Sequence, residues 1–178
     1  MISLRLCLRD LYHSQRVGRL LINYMINQHS FFKAPVLFNE KTFYKQFLKD
    51  LESCSSEVII ESPYITSLRM ELFEQVFQRL LHKNIKIKII TREPSEHETE
   101  FYRYQATDEI LKYSDMGIKF VLLNGFHHRK LSIIDKKILW EGSLNILSQT
   151  NSLEIMRRID DAKESRSMID FLNYSKFI

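Results

Sequence analysis

His128-Arg129-Lys130-Leu131-Ser132-Ile133-Ile134-Asp135, followed after six residues by Gly142-Ser143-Leu144-Asn145, is the stretch on which the reading of this chain turns. The pattern is H-x-K, four residues, D, six residues, G-S-x-N. Six fixed residue types at fixed spacing arise by chance on the order of once in a million chains of this length. The stretch is strand-like. Residues 130–135 and 137–140 flank a tight turn at Asp135-Lys136 and predict a hairpin. On a strand, residues two apart project to one side, so His128 and Lys130 point together and Arg129 points away.

Working outward, residues 57–61 (EVIIE) predict a short buried strand stopped at Ser62-Pro63-Tyr64. Residues 85–90 (IKIKII) alternate with period two, and 118–123 and 154–159 also predict strands. Helical spacing runs through Phe43, Tyr44, Phe47, Leu48 and Leu51, with Asn39 as a cap, and through Met70, Phe73, Val76, Phe77, Leu80 and Leu81 after Thr66 or Ser67. A third helix covers about 101–113 and stops at Gly117, and a fourth covers 162–175. Strands alternating with helices predict an α/β fold, a mixed β-sheet sandwiched between helices (αβα).

The chain has 178 residues, 44% of them hydrophobic and 27% charged, as expected for one globular domain. Residues 1–32 predict a basic, mainly helical N-terminal arm, and 33–178 the main domain, which carries the motif. Arg5, Arg9, Arg16, Arg19 and Lys33 face only Asp10, which accounts for the net charge of +4 and leaves the remainder neutral. Such an arm suits a polyanion or is simply a solvated helix face. Neither a transmembrane-length apolar run nor a signal-peptide pattern stands at the N-terminus, so the expected location is cytoplasmic. Cys7 and Cys54 are too few for a disulfide scaffold and predict inert thiols. Asp10, Glu93, Glu96, Glu98 and Glu100 have no metal-ligand spacing, and His13, His29, His82 and His97 read as incidental. No metal or cofactor is expected.

The chemistry legible in the motif is attack on a phosphodiester. Cleaving one without a metal takes a nucleophile, cationic and polar clamps for the phosphoryl oxygens, and an acid for the leaving oxygen. His128 can attack phosphorus as neutral imidazole and Lys130 can neutralise the phosphoryl oxygens. Ser143 and Asn145 can donate hydrogen bonds, and Gly142 permits close backbone approach.

The motif resembles the HKD signature of the phospholipase D superfamily, and the resemblance covers roughly residues 35–175. It implies a phosphohistidine intermediate on His128, a second motif histidine as the acid, and a carboxylate, here Glu154, bonded to the nucleophile's other ring nitrogen. In such proteins the aspartate, here Asp135, is mainly structural. Glu61-Ser62-Pro63-Tyr64 looks like the strand-end segment near the site. Only one motif is present, so the resemblance implies a homodimer that brings two copies of His128 together, as in the compact nucleases of the superfamily. The expected function is a metal-independent nuclease of low sequence specificity acting on DNA or RNA. The alternatives are a lipid hydrolase, for which the arm would be the membrane contact, and a non-catalytic nucleic-acid-binding module.

Other positions carry two readings each. Lys83, Lys86, Lys88 and Arg92 could line a path for the substrate phosphates, or Lys86 and Lys88 belong to an ordinary amphipathic strand. His127 is structural or faces substrate. Trp140 reads as core rather than as a stacking platform. Phe101, Tyr102 and Tyr104 could stack bases, though helix packing is the expected role.

Overall fold

The computed structural model describes residues 34–148 and 150–176; the basic arm lies outside them. Seven strands form one mixed sheet: β1 (Val36–Asn39), β2 (Glu57–Glu61), β3 (Lys86–Arg92), β4 (Lys119–Leu123), β5 (Leu131–Ile134), β6 (Ile138–Gly142) and β7 (Ile155–Asp160), in the spatial order β1-β7-β6-β5-β2-β3-β4. The helices are α1 (Phe43–Glu52), α2 (Ser67–His82), α3 (Glu100–Met116) and α4 (Ala162–Phe171). Strands β2, β3 and β4 run parallel, joined by the α2 and α3 crossovers, and β5, β6, β7 and β1 continue the sheet antiparallel. This is the αβα sandwich that the alternation of elements predicts.

The apolar runs explain the two faces. In β2, Val58 and Ile60 point to the layer of α1, α2 and α3, where they join Phe47, Phe73 and Tyr113. Ile59 points the other way, to Ile133, Ile159 and Ile169 beneath α4. At 25 cal/mol per Å², burying each such side chain is worth about 2 kcal/mol. Trp140 is fully buried and packs edge-on against Phe43 at 5.2 Å, so its role is core. Its indole N–H donates to buried Asp50 (2.8 Å), which also accepts from Arg158 at 2.7 and 3.1 Å and so ties α1 to β7.

The hairpin turn has positive φ at both Asp135 (53°) and Lys136 (51°), the primed geometry that matches strand twist. Helix α3 ends at Gly117 in the left-handed conformation (φ 112°), where a side chain would be strained.

The predicted cap at Asn39 needs correction. Residues 36–39 form an edge strand that sequence spacing did not show, paired with β7. The Asn39 carboxamide oxygen instead holds the turn after that strand, accepting the N–H groups of Lys41 and Thr42 at 3.1 Å each, and Thr42 precedes the helix.

Candidate active site

The parallel arrangement of β2 and β3 puts their last residues, Glu61 and Arg92, at the same end of the sheet, and the chain enters β5 there. The turn into the motif is held from outside. The Glu96 carboxylate accepts the N–H of Gly125 (2.7 Å) and of Phe126 (3.4 Å), both at positive φ.

Beneath the motif lies a buried ionic floor. Arg92 donates from Nε and Nη2 to the His127 carbonyl (3.2 and 2.9 Å) and from Nη1 to the Tyr64 hydroxyl (3.1 Å). Glu61, fully buried, accepts from Arg129 Nε at 2.7 Å and lies 3.3 Å from His127 Nε2. Burial raises the Glu61 carboxyl and Arg129 opposes the rise. Burial, then the charges of Arg129, Arg92 and Lys130, push His127 down to about 4. His127 is therefore a neutral structural group at neutral pH. A sign follows: between pH 6.5 and about 4 the unfolded chain takes up a proton that folded His127 refuses, so stability falls as pH falls through that window. Glu61 acts in the opposite direction, so the His127 contribution is read as a difference. Urea unfolding at pH 7.5 and 4.5 should show about 2 kcal/mol less acid destabilisation in His127→Gln than in the parent. Equal losses would refute the assignment.

His128 itself is exposed, with its ring edge-on to Tyr64 at 6.4 Å between centroids. Partial burial, then Lys130 and Arg92, lower its pKa and favour the neutral imidazole that a nucleophile needs. Lys130 Nζ lies 2.6 Å from His128 Nδ1 and donates to the His128 carbonyl at 2.7 Å. Its own pKa is lowered by burial, against the pull of Glu154.

His128, Lys130, Gly142, Ser143, Asn145 and Glu154 all line one open cleft of about 920 Å³. The Asn145 segment is stitched in place. Leu147 N–H donates to Ser62 Oγ (3.2 Å), its carbonyl accepts Thr66 N–H (2.9 Å), and the Ile146 carbonyl accepts the Tyr44 hydroxyl (3.1 Å). This gives Ser62 and Tyr64 of the strand-end segment a physical role in holding the site.

Several expected roles change. Glu154 reaches the cleft, but its carboxylate accepts the Ser152 hydroxyl (2.6 Å), and it is Lys130 that stands beside the His128 ring. The Ser143 hydroxyl accepts Ile155 N–H (3.1 Å), anchoring the G-S-x-N segment to β7. Gly142 is required for a different contact than phosphate approach: a Cβ there would overlap the Ile155 carbonyl oxygen and lie 2.9 Å from Met156 Cα.

Asp135 sits at the far end of β5, roughly 16 Å of strand from Lys130. It accepts from the backbone N–H of Ser55 (2.9 Å), Ser56 (2.8 Å) and Glu57 (3.2 Å), both serine hydroxyls and the Cys54 thiol. Burial opposes ionisation there, but these donors hold the carboxyl far below the usual carboxylate range. The clasp is structural, and it joins the hairpin to the loop before β2. Burial and the Asp135 bond push the Cys54 thiol up to about 12, so it is inert as expected.

Lys86 and Lys88 are not brought to the cleft. Lys86 opens β3, opposite Glu57, at the end of the sheet where Asp135 lies, and Lys88 pairs with Ile59 halfway along. Alternation fixed the face they share but not which end of a parallel strand meets the motif. Arg92, at the other end of the same strand, is the cation that reaches the site. Phe101, Tyr102 and Tyr104 do not pack the helix: all three are exposed, Tyr104 by 69%. His97 is not incidental either, since it is buried against Tyr64 at 5.2 Å between centroids.

A family model described as "Cardiolipin synthase, PLD-like domain" matches residues 47–174. No curated protein matches the chain. Among solved structures it is similar to NucT from Helicobacter pylori (22% identity, TM-score 0.61, covering 80% of this chain and 93% of that one). It is also similar to Nuc from Salmonella typhimurium, a phospholipase D family member (17%, 0.61, 77% and 91%). A third likeness is to phosphatidylserine synthase from Haemophilus influenzae (12%, 0.59, 76% and 37%). At these identities the likenesses are of fold.

Proposed function

The chain belongs to the PLD-like domain family, and on that premise we propose that it is a metal-independent phosphodiesterase that cuts nucleic acid, with little sequence preference, as a homodimer. The observation that carries the reading is the cleft itself: an exposed, neutral-leaning His128 beside Lys130, with Arg92 beneath and Asn145 lining the same cleft. A ring nitrogen of His128 attacks phosphorus while Lys130 and Asn145 hold the phosphoryl oxygens. The bond from phosphorus to the leaving oxygen breaks, and that oxygen takes a proton from His128 of a second copy. Water then attacks the phosphohistidine. The second His128, now neutral, accepts the water's proton, and the phosphorus–nitrogen bond breaks.

Among the described residues one histidine, His128, lines the cleft, and the surroundings favour a second copy. Leu37, Leu153, Ile155 and Phe171 are large apolar residues left exposed at or beside the cleft, Leu153 by 89% and Phe171 by 82%. An isologous pairing over them would cover this patch and bring the two clefts together. Among the described residues no three His, Cys, Asp or Glu side chains converge as metal ligands, and no helix is long and apolar enough to cross a membrane.

The test is incubation with labelled single- and double-stranded DNA and RNA in excess EDTA, with the oligomeric state measured by analytical ultracentrifugation. Cleavage of at least one polymer by a dimer is expected. No cleavage of any of the four would overturn the nuclease reading, and an active monomer would overturn the shared site.

A further inference from the structure

Beside the catalytic cleft, separated from it by Asn145, lies a second cavity of about 310 Å³. Tyr64, Thr66, His97, Glu98, Tyr102 and Ser148 contribute to its wall. Two polar groups at this place are buried without partners among the described residues. His97 is 2% exposed, and among the described residues neither of its ring nitrogens has a hydrogen-bond partner; the Asn145 carboxamide oxygen has none among them either. Buried polar groups in folded proteins are almost always paired, so an unpaired pair lining one cavity points to a ligand that pairs them.

The chemistry of the walls selects that ligand. The cations of the site (Arg92, Arg129 and Lys130) belong to the cleft and its floor. Among the described residues that line the side cavity there is no lysine or arginine, and Glu98 brings a carboxylate to it. These walls offer a phosphate no direct cationic contact and set a carboxylate against it. An uncharged heterocycle with N–H donors would fit: Tyr64 and Tyr102 bring aromatic rings to the wall, Glu98 accepts, and the imidazole offers one donor and one acceptor. Burial, reinforced by Arg92 and Arg103, lowers the His97 pKa and keeps that imidazole neutral.

We infer that this cavity is a nucleobase subsite, taking one unpaired base from the nucleotide next to the scissile phosphate, with preference for bases that present an exocyclic amine. The inference rests on the reading of the cleft as a nucleic-acid phosphodiesterase. Asn145 lines both cavities, so the phosphate and the base would belong to adjoining parts of one strand. A base inside a duplex cannot enter such a pocket without leaving its stack, so the subsite works on single strands. Against the Glu98 carboxylate, cytosine, adenine and guanine present an amine. Thymine and uracil place carbonyl oxygens on both sides of their one N–H, so they are disfavoured.

The experiment has a binding arm and a turnover arm. In the His128→Ala background, fluorescence anisotropy compares oligo(dC) with oligo(dT), and then repeats the comparison with Glu98→Gln or Tyr102→Ala added; both added positions are exposed. Oligo(dC) should bind on the order of tenfold more tightly, and either added substitution should erase most of the difference. With His128 intact, the ratio of oligonucleotide cleavage to turnover of the baseless diester bis(p-nitrophenyl) phosphate should fall on the order of tenfold in His97→Phe and Glu98→Gln. Equal binding of the two oligonucleotides, or ratios unmoved by the substitutions, overturns the subsite and leaves the phosphodiesterase reading standing. Base discrimination that depends on Glu98, with no turnover of either substrate, supports the subsite and overturns the enzyme.

Discussion

Replacing His128 by alanine should lower EDTA-resistant cleavage by about 10⁴-fold or more, because in the proposed mechanism it removes the atom that bonds to phosphorus rather than a group that merely assists. Folding should hardly change. The ring is exposed, and its contacts are Lys130 and the edge of Tyr64, so the cost should stay within about 0.5 kcal/mol and the melting temperature within a few degrees. The same variant tests the shared site. If each turnover takes one histidine from each subunit, only dimers with two intact copies work. Co-refolding equal amounts of parent and variant should then leave about a quarter of the parent dimers, hence about a quarter of the activity of the same total protein. A value of one half would mean that each subunit works alone, and the acid would have to be sought within one cleft.

The fold was legible where one period ran long enough. The alternation in 85–90, the apolar stripes of α1 and α2 and the turn at Asp135-Lys136 each stand in the structure close to their expected places. Strand β1 was not legible, because four residues after a proline carry too little pattern. Its partner, β7, lies more than a hundred residues away, and that pairing makes it a strand. The site divides in the same way. His128, Lys130 and Asn145 are set by local spacing and a short hairpin, and they converge. The roles that depend on which distant element comes near were only partly legible: spacing offered Lys83, Lys86, Lys88 and Arg92 alike for a phosphate path and could not choose among them. Arg92 reaches the motif because β3 is parallel to β2. Lys86 does not, for the same reason. His97 and the exposed Tyr102 gain meaning only from the cavity between Tyr64 and Asn145, whose walls come from three separated stretches of the chain. A signal for His97 did exist in the sequence, a histidine two residues before the Thr99 helix start, but spacing alone gives such a residue no partner.

Gly142→Ala should be the most damaging single-methyl change in the domain. Gly142 ends β6 opposite Met156, and the two backbones approach so closely that a Cβ would meet the Ile155 carbonyl oxygen, Met156 Cα at 2.9 Å and Met156 Sδ at 2.8 Å. The sulfur can turn away; the backbone atoms cannot. Relief requires β7 to move, and β7 is held on its other side by β1 and through Arg158 by buried Asp50. The strain should therefore cost about 3 kcal/mol or more. Whatever movement occurs breaks the reciprocal bonds of Ser143 with Ile155, in which the Ser143 N–H donates to the Ile155 carbonyl at 2.9 Å and the Ile155 N–H donates to the Ser143 hydroxyl oxygen at 3.1 Å. Those bonds aim the segment that carries Asn145 into the cleft and set Glu154 beside it. Loss of stability and loss of activity should consequently appear together, and activity should remain depressed by about a hundredfold at temperatures where the variant is fully folded, since a displacement of about 1 Å costs that much in a site built on positioning. Urea unfolding and cleavage assays at 10 °C check both halves. A variant that melts early but cleaves normally when folded would show that the glycine serves the sheet alone.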